Sequence, residues 1–394
     1  MKIGTQCMNS AVKRLRIAVL NRHFLSTGGG AERYSMALVE QLAAQHEIHV
    51  FAQQVGHSWP GVTYHHVPKF LSRPRWLNQL WYATATWWQT RSGFDVVHSH
   101  ENTWHGQVQT MHVLPIKYNL FVGRQGWGYA WRWVQVLLSV RLLVYLALEC
   151  SRFSLKRPRT IVLTSQTLVA QTLTAYPACK TAIQVITPGV DGVKGASTAA
   201  EKLSARKILG LPESGYCIVF IGNDYRKKGL ETLIQALYLL PSSSYVAVVG
   251  HAAQVPLFKA QAAAAGLEHQ VYFLGPLPDV SLAYTCADCL AHPTHEDTFA
   301  MVVLEALSHG LPVVVSSMRY CGITALLHHE REALVLDDPR NAQALAQALL
   351  RLMNDHALVL RLQSAGLAFA KRYPWSVLAQ QQALIYQTMA AKRG

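Results

Sequence analysis

The residues best suited to chemistry are concentrated in one stretch, HPTHEDTFAMVVLEALSHGLPVVVSS, residues 292–317. Within it Asp297 and Glu305 stand eight positions apart, with Glu296 just before the first acid. At 3.6 residues per turn that spacing is a little over two turns, so both carboxylates can point to one side of a helix. Asp297 and Thr298 are expected where that helix begins, and its unpaired amides and positive dipole end suit a diphosphate. A carboxylate further along can accept hydrogen bonds from ribose hydroxyls. Taken alone, an Asp-x7-Glu pair also describes a capped helix with a solvated face. A second basic stretch, Gly222-Asn223-Asp224-Tyr225-Arg226-Lys227-Lys228-Gly229, offers cations for phosphate, or simply exposed charge. Gly28, Gly29 and Gly30 permit close backbone approach to a ligand. His112, with His98 and His100 at a neighbouring strand end, is a further candidate. Cys286 and Cys289 form a CxxC, but no second pair completes a zinc site, so no metal is expected.

These residues need a frame, and the hydrophobic pattern supplies one. Arg16–Leu20 (RIAVL) reads as a strand, followed by the glycine loop, a helical pattern over 31–45 and a strand Glu47–Ala52. This is a βαβ unit opening a parallel sheet, with further strands expected at 95–98, 108–112, 161–164 and 184–186. A Gly/Ala/Ser/Lys-rich stretch, 192–205, reads as a linker. A second series follows, with strands at 217–221, 245–250, 271–274, 289–292 and 312–316. Helical patterns lie between them, at 230–240, 254–266, 280–286 and 300–309. The unbroken apolar runs CIVFI and VAVVG suit strands buried on both faces. From Asn341 onward the chain reads as helices. Two doubly wound α/β domains result, with ligands expected at the carboxyl ends of their strands. The Lys228 loop and the Asp297 turn both fall at such ends.

At 394 residues and 51% hydrophobic content, the chain has material for two cores. Its net charge of +14 is uneven: residues 1–195 carry 20 Lys+Arg against 7 Asp+Glu, and residues 196–394 carry 16 against 15. The N-terminal half therefore faces something anionic. Its basic residues are interleaved with Trp and Leu over 117–159 and around Trp76, Trp81, Trp87 and Trp88, which suits a membrane interface. Several of these tryptophans are expected in the core. No nucleic-acid motif accompanies the charge. No apolar run reaches the length of a spanning helix; the nearest, 134–148, is interrupted by Arg141. The seven scattered cysteines and the lack of an apolar leader read as reduced thiols in a cytoplasmic protein.

The whole pattern HPTxxDxFxxxxLEAxxxGxPVVxS resembles the donor-site motif of family 4 glycosyltransferases of the two-Rossmann (GT-B) fold. FIGNDYRKKGL resembles their loop after the first strand of the second domain, with Lys228-Gly229 on its Lys-Gly pair and Asn223 where many relatives have Arg. VITPGVD (185–191) and TSQTLVAQ (164–171) resemble neighbouring family segments. Nearest within the family is the lipopolysaccharide core glucosyltransferase I type. The resemblance implies an acceptor-side domain over 1–192, completed by a C-terminal helix near 374–394, and a donor domain over 193–373. It implies Asp297 or Glu296 near the donor hexose, Glu305 near the ribose, and His112 near the sugar. Lys228 and Arg226 would face the diphosphate, with Gly222, Asn223, Thr298 and the amides of Phe299, Ala300, Met301 and Val302 around it. It further implies retention of configuration, no metal or other cofactor, a UDP-linked sugar as co-substrate and a glycolipid acceptor at the inner-leaflet surface. Two other readings are a nucleotide-sugar 2-epimerase of the same fold and a non-enzymatic protein that binds anionic surfaces.

Overall fold

The computed structural model describes residues 14–25, 29–71, 73–153, 158–250, 253–277 and 279–392. Two all-parallel sheets organise them. The first has the order Val62–His66, Glu47–Ala52, Arg16–Leu20, Val96–Ser99, Val108–Met111, Thr160–Leu163, Ala182–Val185. The second has the order Val271–Gly275, Ser244–Val249, Tyr216–Ile221, Cys289–His292, Val313–Ser316, Leu334–Leu336. Both are doubly wound α/β sheets, as the alternating strand and helix patterns require. The central strands are apolar throughout because helices cover both faces; Ile218, Phe220, Val246 and Val248 pack on one side, Cys217, Val219 and Ala247 on the other.

Strand order reverses once in each sheet, between Arg16–Leu20 and Val96–Ser99 and between Tyr216–Ile221 and Cys289–His292. A crevice opens at such a reversal, beyond the carboxyl ends of the two strands. The Lys228 loop follows one strand of the second reversal and the Asp297 turn follows the other. Gly29 and Gly30 come after one strand of the first reversal in the chain, and His100 directly follows the other, which itself carries His98.

Three helices close the chain: Ala342–Asn354, His356–Ala370 and Trp375–Ala391. The last returns to the first sheet, where Trp375, Leu378, Ala383, Tyr386 and Met389 share a core with Ile17, Val19, Leu38 and Val50. The outgoing and returning segments cross at Val190, whose N–H donates to the Tyr373 carbonyl at 2.9 Å. Gly189 makes that crossing possible, since a Cβ there would stand 2.8 Å from Leu378 and 2.9 Å from the Tyr373 carbonyl.

The structure changes several expectations. The linker stretch contains the start of a helix, Ala199–Ile208, opened by a capping box between Thr198 and Glu201. Short strands at Val62–His66 and Leu334–Leu336 extend the sheets at their edges. Every tryptophan of the basic, aromatic region is at least partly exposed, so none lies in the core.

Candidate functional site

The loop after Tyr216–Ile221 is built to deliver Lys228. Gly229 sits at φ +81, and a Cβ on it would lie 2.0 Å from the Pro293 carbonyl, so only glycine lets this loop dock on the neighbouring strand end. The stem of Lys228 lies across Gly222, where a Cβ would meet its Cγ at 2.9 Å. The ammonium then reaches Asp297 Oδ2 at 2.5 Å and the Glu296 carbonyl at 3.3 Å. Asp297 is otherwise fully engaged: Oδ1 accepts from the N–H of Ala300 at 2.8 Å and of Phe299 at 3.3 Å, and Oδ2 lies 3.3 Å from His292 Nε2. Burial alone would raise this carboxyl. The Lys228 ammonium and the His292 ring outweigh it and hold Asp297 well below the usual carboxylate range.

Asp297 is not on the helix. The helix runs Met301–Ser308 and is preceded by Ala300 at φ +72, a left-handed conformation unusual for a residue with a Cβ. Asp297 lies in the turn before it, held by its N–H to the Tyr320 carbonyl at 2.7 Å. The two-turn spacing therefore does not relate Asp297 to Glu305; the turn does. The amides of Phe299 and Ala300, expected around a diphosphate, serve Asp297 instead, which leaves Met301 and Val302 in the helix's first turn. Glu296 separates from its neighbour: it points outward and pairs with Lys227 at 2.6 Å. Arg226 and Asn223 stand exposed on the crest of the loop, and the structure does not bring them onto the acidic pair.

Glu305 does lie on the helix and is nearly buried. Its Oε2 accepts from the Tyr284 hydroxyl at 2.7 Å. Its Oε1 lies 2.6 Å from Nη2 of Arg33, a residue of the first domain. Arg33 is three residues past the glycine triplet, in the helix Gly30–Leu42. Gly30 opens that helix against the helix Met301–Ser308 of the second domain, since a Cβ there would stand 3.4 Å from Met301 Sδ. Gly29 and Gly30 are not in the left-handed region, so their role is close approach. Gly28 lies outside the described residues. Thr298 completes the junction: its hydroxyl donates to the His112 carbonyl at 2.6 Å, and its own carbonyl accepts from Ser165 at 2.6 Å.

The histidines form a row. His98 is buried between Tyr386 at 2.6 Å and Thr110 at 2.7 Å; the His100 and His112 rings are stacked and bonded at 3.0 Å. Burial, helped by Arg152, pushes His112 down to about 3, so its ring is neutral and can accept or donate without carrying charge.

Residues 28–192 match the family described as Glycosyltransferase Family 4, and residues 201–368 match Glycosyl transferases group 1. The chain belongs to the family 4 glycosyltransferases of the GT-B fold. A D-inositol 3-phosphate glycosyltransferase of Corynebacterium urealyticum is 29% identical over 61% of this chain and 59% of its own length. The lipopolysaccharide glucosyltransferase WaaG of Escherichia coli is 25% identical over 56% of this chain and 60% of its own. The matched region thus spans about three fifths of these curated relatives. A solved structure of WaaG superposes with a TM-score of 0.79 at 21% identity, covering 94% of this chain and 99% of that one. Anabaena HepE solved with UDP-glucose gives 0.73 at 19% identity, covering 96% and 100%.

In this family 4 glycosyltransferase, sequence reasoning missed Arg33, Tyr284 and Ser165 as parts of the site. Their partners are distant in sequence; only the neighbourhood of Arg33 to the glycines and of Ser165 to the TSQTLVAQ segment gave a signal. Cys286 and Cys289 are both core residues. Among the described residues no group of three His, Cys, Asp or Glu side chains is placed to hold a metal.

The basic, aromatic region forms a projection on the first domain. Helices Gly126–Leu137 and Val140–Arg152 meet at a bend of 100°, and no single described helix is long and apolar enough to cross a membrane. Trp127 is 92% exposed, Leu138 82% and Trp131 62%, with Arg124 and Arg141 beside them on the surface. The base of the projection is the opposite in character. Glu149 is buried and accepts from the N–H groups of Ile116 and Lys117 and from the Tyr176 hydroxyl. Arg152 is buried and donates to the Glu101 carbonyl at 2.5 Å, and Arg159 is also buried, bonded to carbonyls. Two of the cations expected at an interface are thus internal supports.

Proposed function

We propose that this chain transfers a hexose or N-acetylhexosamine from a UDP-linked sugar to an anionic glycolipid, with retention, in lipopolysaccharide or other cell-surface glycan assembly. The observation that carries this reading is the Lys228–Asp297 pair at the second strand reversal, beside the open first turn of Met301–Ser308 and facing Gly30 of the other domain. A departing nucleoside diphosphate develops negative charge. Lys228 and the amides of Met301 and Val302 supply fixed positive potential there, with Arg226 contributing only from the exposed crest of the loop, and no metal is required. Glu305 accepts hydrogen bonds from the ribose, and Asp297 orients Lys228 and lies on the hexose side. The neutral His112 ring lines the sugar position. The acceptor hydroxyl attacks from the leaving-group face, and the diphosphate oxygen takes its proton.

The exposed Trp127, Trp131 and Leu138, with Arg124 and Arg141, support a peripheral position on the cytoplasmic face of an anionic membrane, where rings sit at headgroup depth. That placement brings the acceptor-side domain to a lipid-linked substrate. No nucleic acid takes part.

Thermal-shift screening with UDP-, GDP- and ADP-sugars, followed by product mass, tests the reading. Stabilisation by a UDP-sugar, lost in Glu305→Ala, and an acceptor-dependent product of added hexose or N-acetylhexosamine mass are expected. A sugar product formed without acceptor identifies the 2-epimerase instead. No stabilisation by any nucleotide sugar sinks the enzyme reading.

A further inference from the structure

Glu305 receives support from both halves of the molecule, and the support from the first half has no counterpart in the acidic motif itself. Arg33 approaches the carboxylate with two nitrogens, Nη2 at 2.6 Å from Oε1 and Nη1 at 3.4 Å from Oε2. Tyr284 donates to Oε2 at 2.7 Å. A two-pronged guanidinium fixes the plane of a carboxylate, which a single ammonium or hydroxyl cannot do. An ionised carboxylate has about four acceptor positions, so one at least stays open after these donors are counted. The carboxylate's plane, and so the direction in which that position points, is set by Arg33. The Glu305 charge in turn keeps the Arg33 guanidinium firmly protonated, outweighing its partial burial.

We propose that Arg33 is a positioning residue for donor recognition: from the first domain it orients Glu305 so that the ribose hydroxyls meet an open, aimed acceptor. This rests on the reading of Glu305 as the ribose contact. Its consequence is that the nucleotide site is complete only when the two halves are together. Ribose recognition, though carried by a second-domain carboxylate, is shared across the cleft. A mere tether between domains would hold the halves together without affecting which sugar ring Glu305 prefers.

The test is calorimetric titration of the full chain with UDP and with 2′,3′-dideoxy-UDP. Hydrogen bonds to a charged acceptor predict that the parent favours UDP by roughly 10-fold or more. Arg33→Gln is expected to weaken UDP and bring the preference below about 3-fold, because the acceptor is no longer aimed. Arg33→Lys keeps the charge without the two-pronged grip and is expected to fall between them. Tyr284→Phe is expected to reduce the preference partially. Melting temperatures of both Arg33 variants within a few degrees of the parent identify the effect as local. If Arg33→Gln weakens both nucleotides by the same factor, or weakens neither, Arg33 is only a tether and the proposal is overturned. If the parent binds no UDP, or shows no preference for it, the failure belongs to the reading of Glu305 and the donor site.

Discussion

The two halves of this molecule use charge in opposite ways. In the second domain, cations and acids are close to balance and several meet in short, half-buried pairs, such as Lys228 with Asp297 and Arg206 with Asp288 at 2.8 Å. In the first, a large cationic excess is divided between an exposed aromatic projection and buried supports such as Arg152 and Arg159. The lesson is that net charge identified the more basic half, but not which of its cations lie at the surface. Burial sorted those, and burial depends on contacts far apart in the chain.

The sharpest way to test the contrast is at the Lys228–Asp297 pair. Lys228→Ala is expected to lower kcat by roughly 10²–10³-fold, since a preorganised cation at the departing charge is lost. Release of nucleoside diphosphate measures it, and a change below tenfold would remove Lys228 from the chemistry. Acid should separate the halves next. Burial pushes His98, His105 and His112 to about 3, below the ordinary value of 6.5. The unfolded chain therefore binds protons that the folded one does not, so the stability these rings contribute is intact above about pH 6.5 and is lost as pH falls toward about 3. All ten tryptophans lie at or before Trp133 or at Trp375, so intrinsic fluorescence reports the first domain's fold. Its transition is expected at a higher pH than that seen by amide exchange in the strand Tyr216–Ile221; coincident transitions would contradict this.

Gly229→Ala is expected to cost about 2 kcal/mol or more, from left-handed strain and the collision with the Pro293 carbonyl. Urea unfolding measures it. At the projection, replacing Trp127 and Trp131 by Ser is expected to weaken binding to anionic vesicles by roughly tenfold while stability stays within about 0.5 kcal/mol. Equal binding of neutral and anionic vesicles by the parent would discard the electrostatic part of that account. The smallest effect is at Ala300. Ala300→Gly relieves the left-handed strain and is expected to stabilise the fold by about 1 kcal/mol or less, read by the same urea titration.

Much of this architecture was legible because parallel strands covered on both faces leave an unbroken apolar signature. YCIVFI and SYVAVV carry it; VTYHH, at a half-exposed sheet edge, does not, and was missed. In the site, Asp297, Glu305 and Lys228 were legible because their motifs are contiguous. The conformation that joins them was not. A left-handed Ala300 and an Asp297 bonded within the turn defeat a reading based on helical spacing, because the turn is set by the Tyr320 carbonyl and by packing on Gly322, whose Cβ would meet the Thr298 carbonyl at 2.0 Å. Arg33 was invisible for a different reason: its partner lies 272 positions away. The tryptophans of the basic region expected in the core lie at least partly exposed instead, since aromatic content alone does not distinguish a core from a surface.

The returning helix Trp375–Ala391 has a consequence for the order in which the protein is made. Tyr386 and Met389 close the core that begins with Ile17 and Val19, and Tyr386 is bonded to the buried ring of His98. On the ribosome, the strands of the first domain emerge first but lack these residues until the second domain has also been synthesised. The second domain has its strands and helices complete earlier. Synthesis therefore runs from first to second while completion runs from second to first, and the earlier-made sheet waits with part of one face uncovered until the returning helix arrives.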